Sequence, residues 1–138
     1  MKQHSLRLTV VTHGPGFTDL TAKIRRFVAD AKIGTGLLTV FVPHTSASLL
    51  IQENADPDVL RDLKDAYAKL APHGTQYRHS TEGPDDMPAH IRSALSQTSI
   101  GIPVSDGAPA LGVWQAIYLF EHRDAGHTRD VLLHLIGD

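Results

Sequence analysis

Apolar and polar residues alternate over Ser5-Leu6-Arg7-Leu8-Thr9-Val10, the period-two pattern of a strand with one face in a core. His13-Gly14-Pro15-Gly16 breaks it. A helical period follows: Leu20, Ile24, Phe27, Val28 and Ala31 share one face, with Thr18 placed to cap the helix and Gly34 and Gly36 to stop it. Leu37 to Val42 is a continuous apolar run closed by Pro43, which predicts a buried strand. His44-Thr45-Ser46-Ala47-Ser48-Leu49-Leu50-Ile51-Gln52 is a further strand, or a bend into one.

Asp56-Pro57 opens a second helix with a stripe of Val59, Leu60, Leu63, Tyr67 and Leu70, ending near Pro72. Residues 72–85 read as a long loop, a length that in compact domains signals function or disorder. A short helix runs from about Asp86 to Ser96. Strands then follow over 99–104, 113–122 and 128–136, a closing β-meander. Ser105-Asp106-Gly107 and Arg123-Asp124-Ala125-Gly126 supply its hairpin turns. The order predicts one α+β domain over residues 1–138 rather than a parallel βαβ sheet.

A 138-residue chain that is 41% hydrophobic and 20% charged is long enough for one ordinary core. Its net charge of −2 gives no footprint for nucleic acid. No apolar run is long enough to cross a bilayer, and MKQHSLRLTV lacks the features of a signal peptide, so no membrane partner is expected. The absence of cysteine excludes disulfides and thiolate metal sites and is compatible with a cytoplasmic location. Any transition metal must be held by imidazole and carboxylate, and nine histidines offer the imidazole.

The stretch Glu82-Gly83-Pro84-Asp85-Asp86-Met87-Pro88-Ala89-His90-Ile91 concentrates the candidate chemistry. Asp85 or Asp86 suits a helix N-cap and Pro88 a first turn. Met87, His90, Ile91 and Ala94 share a face, with His90 at its edge and Asp86 one turn before it, able to orient the imidazole. Such a segment is also satisfied by a well-capped helix with a hydrogen-bonded boundary histidine. His79 in the loop and His44 at a strand end extend the case, because three histidines from separate elements can converge on one metal and leave a position open. Spacing alone does not establish that site, since no local HxxxH or HExxH signature is present.

Gln115 and Glu121 share a strand face with Val113, Ile117 and Leu119, where polar groups need partners unless the strand end is in water. Gln115, being mid-strand, suits a substrate or inter-subunit contact. Asn54 is either a helix-capping residue or a neighbour of the His44 site. Arg78 and Arg92 are the candidate anion partners, and both fit a solvated surface equally well.

Several ordered blocks together resemble the YjbQ family, also labelled the uncharacterised protein family UPF0047. They are His44 to Leu49, Glu53 to Val59, His79 to Ile91, Ser99 to Val104, Leu111 to Gln115 and Glu121-His122. The resemblance runs over essentially the whole chain. It implies an α+β fold with a β-sandwich-like core, a homotrimer with sites near subunit interfaces, and a metal-binding pocket around His44, His79 and His90. It also brings the label of secondary thiamine-phosphate synthase. The usual enzyme of that name resembles a TIM barrel of roughly 250 residues, so the activity here would be convergent or incidental. This chain also has no P-loop to cradle phosphate.

Three functions are therefore in view. The first is a transferase acting on a small phosphorylated substrate, with thiamine-phosphate synthesis as its example. His44, His79 and His90 would bind a divalent metal, zinc, or act as acid–base groups. Asp86 would orient them, and Ser46, Asn54, Gln115, Arg78 and Glu121 would contact substrate. The second is a metal-dependent hydrolase of a phosphorylated metabolite with Glu82 or Asp85 as base. The third is a non-enzymatic ligand-binding trimer.

Overall fold

The computed structural model describes residues 1–74 and 76–138. Among the described residues, eight strands and three helices follow in the order β1 (Lys2–Val11), β2 (Gly16–Asp19), α1 (Thr21–Ala31), β3 (Gly36–Phe41), β4 (Ala47–Glu53), α2 (Pro57–Leu70), α3 (Asp86–Leu95), β5 (Ser99–Ser105), β6 (Ala108–Pro109), β7 (Gln115–Glu121) and β8 (Thr128–Gly137). They build two antiparallel sheets, β1-β8-β3-β5-β6 and β2-β7-β4. The α+β expectation therefore holds.

Alternation sets the core. Val131, Leu133 and Leu135 of β8, Leu38 and Val40 of β3, and Ile100, Ile102 and Val104 of β5 face inward from the larger sheet. Leu49 of β4 and Ile117 and Leu119 of β7 meet them from the smaller one, and Ile24 and Val28 of α1 complete the cluster. Burying a side chain of this size contributes about 1.5–3 kcal/mol.

The apolar run at Leu37–Val42 is buried on one face only. Leu38, Val40 and Val42 lie in the core, while Leu37 and Phe41 remain 48% and 39% exposed on the outer face of the sheet. The closing meander is also corrected. β5 and β8 belong to the larger sheet and β7 to the smaller one, so Arg123-Asp124-Ala125-Gly126 carries the chain between sheets and is not a hairpin turn. Asp106-Gly107 is the expected two-residue hairpin turn: both residues have positive φ, 50° and 75°, as a type I′ turn requires.

Thr18 lies in β2 and does not cap α1; the Asp19 carboxylate accepts from Thr21 N–H instead. Lys32, at φ 53°, supplies the left-handed residue that ends α1, ahead of the expected glycines. Asp56 caps α2 as expected, accepting from Asp58 N–H at 2.9 Å. The loop expected over 72–85 includes Thr75, which lies outside the described residues. Its described parts carry no helix or strand. No helix among the described residues is long and apolar enough to cross a membrane.

Candidate metal centre

The loop before α3 and the first turn of α3 bring His79, Asp86 and His90 together. One ligand atom from each lies within 4.8 Å of the others, the one such group among the described residues. Gly83, at φ 102°, turns the chain into the helix where an added Cβ would come within 3.1 Å of the Asp85 carboxylate. Pro88 sits in the first turn, where its missing N–H costs nothing. Asp86 and His90 are one turn apart, so both project to the same side of α3.

Asp86 is the hub. Its side chain is 4% exposed. Oδ1 takes an ion pair from Arg123 Nη1 at 2.8 Å, while Oδ2 lies 2.6 Å from His79 Nε2 and 3.1 Å from His90 Nε2. Burial works to raise the Asp86 pKa, but the His79 bond and the charges of His90 and Arg123 outweigh it, and the net shift is downward. The Asp86 bond in turn raises His79 above the ordinary histidine value. Glu82 Oε2, exposed at the rim, lies 3.3 Å from His79 Nε2.

The hydrogen on His90 can be placed from its contacts. Nδ1 lies 2.9 Å from the carbonyl oxygen of Thr45, which only accepts, so Nδ1 carries an N–H. A neutral ring then presents a lone pair at Nε2, and that lone pair faces Asp86 Oδ2. Two acceptors at this distance need a proton or a cation between them. A histidine that donates one ring N–H to a carbonyl and turns the other nitrogen inward has the arrangement of a metal ligand. Two imidazoles and a carboxylate form a donor set that zinc accepts.

Not every expected ligand joins the cluster. His44 lines the same open trough as His90, together with Thr45, Ser93, Gln97 and Thr98. Its Nε2, however, accepts the Asp130 backbone N–H at 2.9 Å. Burial, reinforced by the Arg129 charge, lowers its pKa and favours the neutral ring. Asp86, expected to orient the histidines, is itself a candidate ligand.

Asp85 occupies the N-cap position without capping the helix, because its carboxylate binds Arg123 Nε at 2.8 Å and Asp124 N–H at 3.0 Å. Arg123 holds its pKa at about 2, so Asp85 is an ionised strut for the β7–β8 connection rather than a base.

The expected substrate contacts scatter. Ser46 Oγ and its carbonyl both accept from Arg129 Nη2. Glu121 is 1% exposed, and its carboxylate is taken up by Arg129, Thr12 Oγ1 and the backbone N–H groups of His122 and Arg123. Asn54 and Gln115 sit at the far end of the β4–β7 pair from Ala47, about 20 Å away at strand rise. Gln115 Oε1 there closes a turn by accepting from Gly112 N–H, and Asn54 N–H donates to Trp114 O. Arg78 is exposed on the loop.

Arg92 is buried on α3, where the sequence pattern places the inward face on Met87, Ile91 and Ala94. The buried face instead carries Asp86, Ala89, Arg92 and Ser93, held by Arg123 and by the carbonyls of Ala71 and Ala47. Arg123 is absent from the candidates that the sequence pattern singles out. Its only sequence signal is the Asp85-Asp86 pair, which needs a cation when buried.

The family model described as UPF0047 protein YjbQ-like matches residues 6–138. Among relatives in sequence, the UPF0047 protein sll1880 of Synechocystis sp. is 53% identical over 138 residues, covering 99% of this chain and 94% of its own. The UPF0047 protein YjbQ of Escherichia coli O157:H7 is 39% identical, covering 95% and 96%. The crystal structure of the conserved hypothetical protein TT1486 from Thermus thermophilus superposes with a TM-score of 0.84 at 35% identity, covering 95% of this chain and 99% of that one. A YbjQ-like protein of unknown function from Sulfolobus solfataricus reaches 0.88 at 18% identity over 99% and 100%, a likeness of fold alone.

Proposed function

The chain belongs to the YjbQ-like UPF0047 family, and we propose that it is a metal-assisted enzyme acting on a small phosphorylated molecule, with His79, Asp86 and His90 holding a divalent cation, zinc by donor type. The observation that carries this reading is the convergence of one ligand atom each from His79, Asp86 and His90, all within 4.8 Å of one another. A metal bound there supplies Lewis-acid polarisation of an oxygen or activation of a water.

The protein's own groups would do the rest. The Thr45 carbonyl fixes the His90 ring, and Arg123 fixes Asp86. Glu82, exposed at the rim beside His79, takes the base role, since Asp85 is tied to Arg123. The trough beside His90, about 530 Å³, offers Ser93, Gln97 and Thr98 as hydrogen-bonding groups for substrate. His44 is a trough-wall residue that presents an Nδ1–H.

Transfer of the thiamine-phosphate synthase kind remains the named example of the reaction. Hydrolysis of a phosphate ester is the second reading, favoured by the carboxylate of Glu82 beside the cluster. Incubating the zinc-loaded protein with a panel of phosphorylated metabolites separates them. Pyrophosphate released on joining two substrates supports transfer, and inorganic phosphate supports hydrolysis. No turnover at any metal loading supports the ligand-binding role and overturns both.

We further propose a cytoplasmic homotrimer. The exposed Leu37 and Phe41 on the outer sheet face support an assembly that covers them. In such an assembly Asn54 and Gln115 reach a centre only from a neighbouring subunit. Sedimentation equilibrium at three times the monomer mass supports this reading, and a monomer removes it.

A further inference from the structure

A second cavity, of about 320 Å³, lies on the other side of α3 from His90 and is roofed by α2. Its walls carry Lys64, His73 and Arg92, the acids Glu121 and Asp124, and the rings of Tyr67 and Phe120. Arg92 is only 6% exposed. Its Nε and Nη2 both donate to the Ala71 carbonyl, at 3.2 and 2.7 Å, a neutral acceptor. Among the described residues no carboxylate lies within ion-pair distance of it. A guanidinium withdrawn from water without a counter-charge is costly.

The nearby acids each have another contact, although the charge of the exposed Asp124 also reaches Arg92. Asp85 is paired with Arg123, Glu121 with Arg129, and Asp124 lies 3.2 Å from His73 Nε2.

A second observation lies behind that wall. His122 is 1% exposed, its Nε2 contacts Ser48 Oγ at 2.8 Å, and its Nδ1 has no partner among the described residues. The ring packs against Phe120 at 4.2 Å and parallel to Tyr67 at 6.2 Å, both of which line the cavity. Tyr67 Oη shares a hydrogen bond with Ser96 Oγ at 3.0 Å, and Ser96 Oγ also contacts the Arg92 carbonyl at 3.2 Å. The region thus holds a buried cation on the cavity wall and an unsatisfied imidazole nitrogen behind it, with an exposed lysine and two aromatic rings.

We propose that this cavity binds a small organic oxyanion on a flat apolar body, its charged group on Arg92 and Lys64 and its body against Tyr67 and Phe120. The shared chemistry is that of a carboxylate or a phosphate monoester, and the size suits a single-ring ligand. This site is independent of the metal reading and does not need it.

The test uses the full chain treated with chelator, with ¹H–¹⁵N spectra recorded against benzoate, phenyl phosphate and neutral benzyl alcohol at about millimolar concentration, where weak ligands saturate. Either anion should shift the amides of residues 64–68, 92 and 120–124, with benzyl alcohol inactive. Response to benzoate alone identifies a carboxylate site, and response to phenyl phosphate alone a phosphate site. Lys64→Glu, on the exposed face of α2, should weaken binding at least about tenfold, because it replaces an attraction for the anion by a repulsion. Arg92→Met should abolish binding if it folds, and Lys64→Glu carries the test if it does not. No shift with either anion, equal shifts with benzyl alcohol, or anion binding unchanged in Lys64→Glu would overturn the proposal.

Discussion

His90 Nδ1 donates to the Thr45 carbonyl oxygen at 2.9 Å, and this bond turns His90 Nε2 toward Asp86. The contact joins α3 to the bend before β4, so the candidate centre is held by two elements far apart in sequence. Asp86→Asn keeps the shape of the hub and removes its charge. It should weaken zinc binding by at least about 100-fold, the upper range seen even for partners outside the ligand set. His44→Ala should leave zinc affinity within about twofold, because His44 Nε2 is occupied by Asp130 N–H. Equilibrium competition with a chromogenic chelator reads both.

The Glu121–Arg129 pair is 1% and 6% exposed in its side chains. Arg129→Met leaves a buried carboxylate without its cation and should cost about 3–5 kcal/mol of unfolding free energy. The double variant Glu121→Leu with Arg129→Met should recover most of that loss. Denaturant unfolding measures both, and a double variant no more stable than the single would contradict the assignment.

His122 supplies a pH signature. Burial, followed by the Arg92 charge, lowers its pKa from 6.5 to about 3. Glu121 acts in the opposite direction and Arg129 in the same one, while Ser48 and Tyr67 flank the ring as neutral groups. Between those two pH values the unfolded chain binds a proton that the folded chain does not. Stability therefore falls as pH drops from about 6.5 toward 3, by up to about 1.4 kcal/mol per pH unit from this residue. His122→Gln should flatten the slope by one proton in that window. Unfolding curves at pH 4.5 and 7 for both proteins test it, and equal slopes would count against a neutral buried ring.

Gly107 carries φ 75° with nothing closer to an added Cβ than Ile33 O at 4.0 Å. Gly107→Ala should therefore lose only the backbone term, about 1–2 kcal/mol. Thermal unfolding checks the value.

The parts of the fold readable in the sequence are those with a local cause. The Asp56-Pro57 cap of α2 and the Asp106-Gly107 turn persist in the structure, whereas the α2 stripe is at most half-buried, with Leu70 66% exposed, and β1 turns only Leu8 and Val10 inward, leaving Leu6 43% exposed. What is absent from the sequence is long-range. Alternation in β8 reports which face is buried, β7 is buried on both faces, and neither pattern says which sheet its strand joins. β2, with four residues in a turn-rich stretch, is too short to show a period. The candidate site divides in the same way. His79, Asp86 and His90 lie within twelve residues, and the Asp86–His90 spacing is helical, so their convergence is partly local. His44 depends on how β8 passes the bend before β4, and its nitrogen is taken by Asp130 there. Arg92 and Arg123 are ordinary surface residues by sequence; Arg92 becomes buried where the Ala71 carbonyl receives it, and Arg123 half-buried where the Asp85-Asp86 pair does.

The metal centre is tested most directly by crystals grown with zinc and measured on both sides of the zinc absorption edge. An anomalous peak bounded by His79 Nε2, Asp86 Oδ2 and His90 Nε2 is the predicted result. Zinc density at His44 or elsewhere, or none at this cluster in a protein that retains its fold, would contradict it.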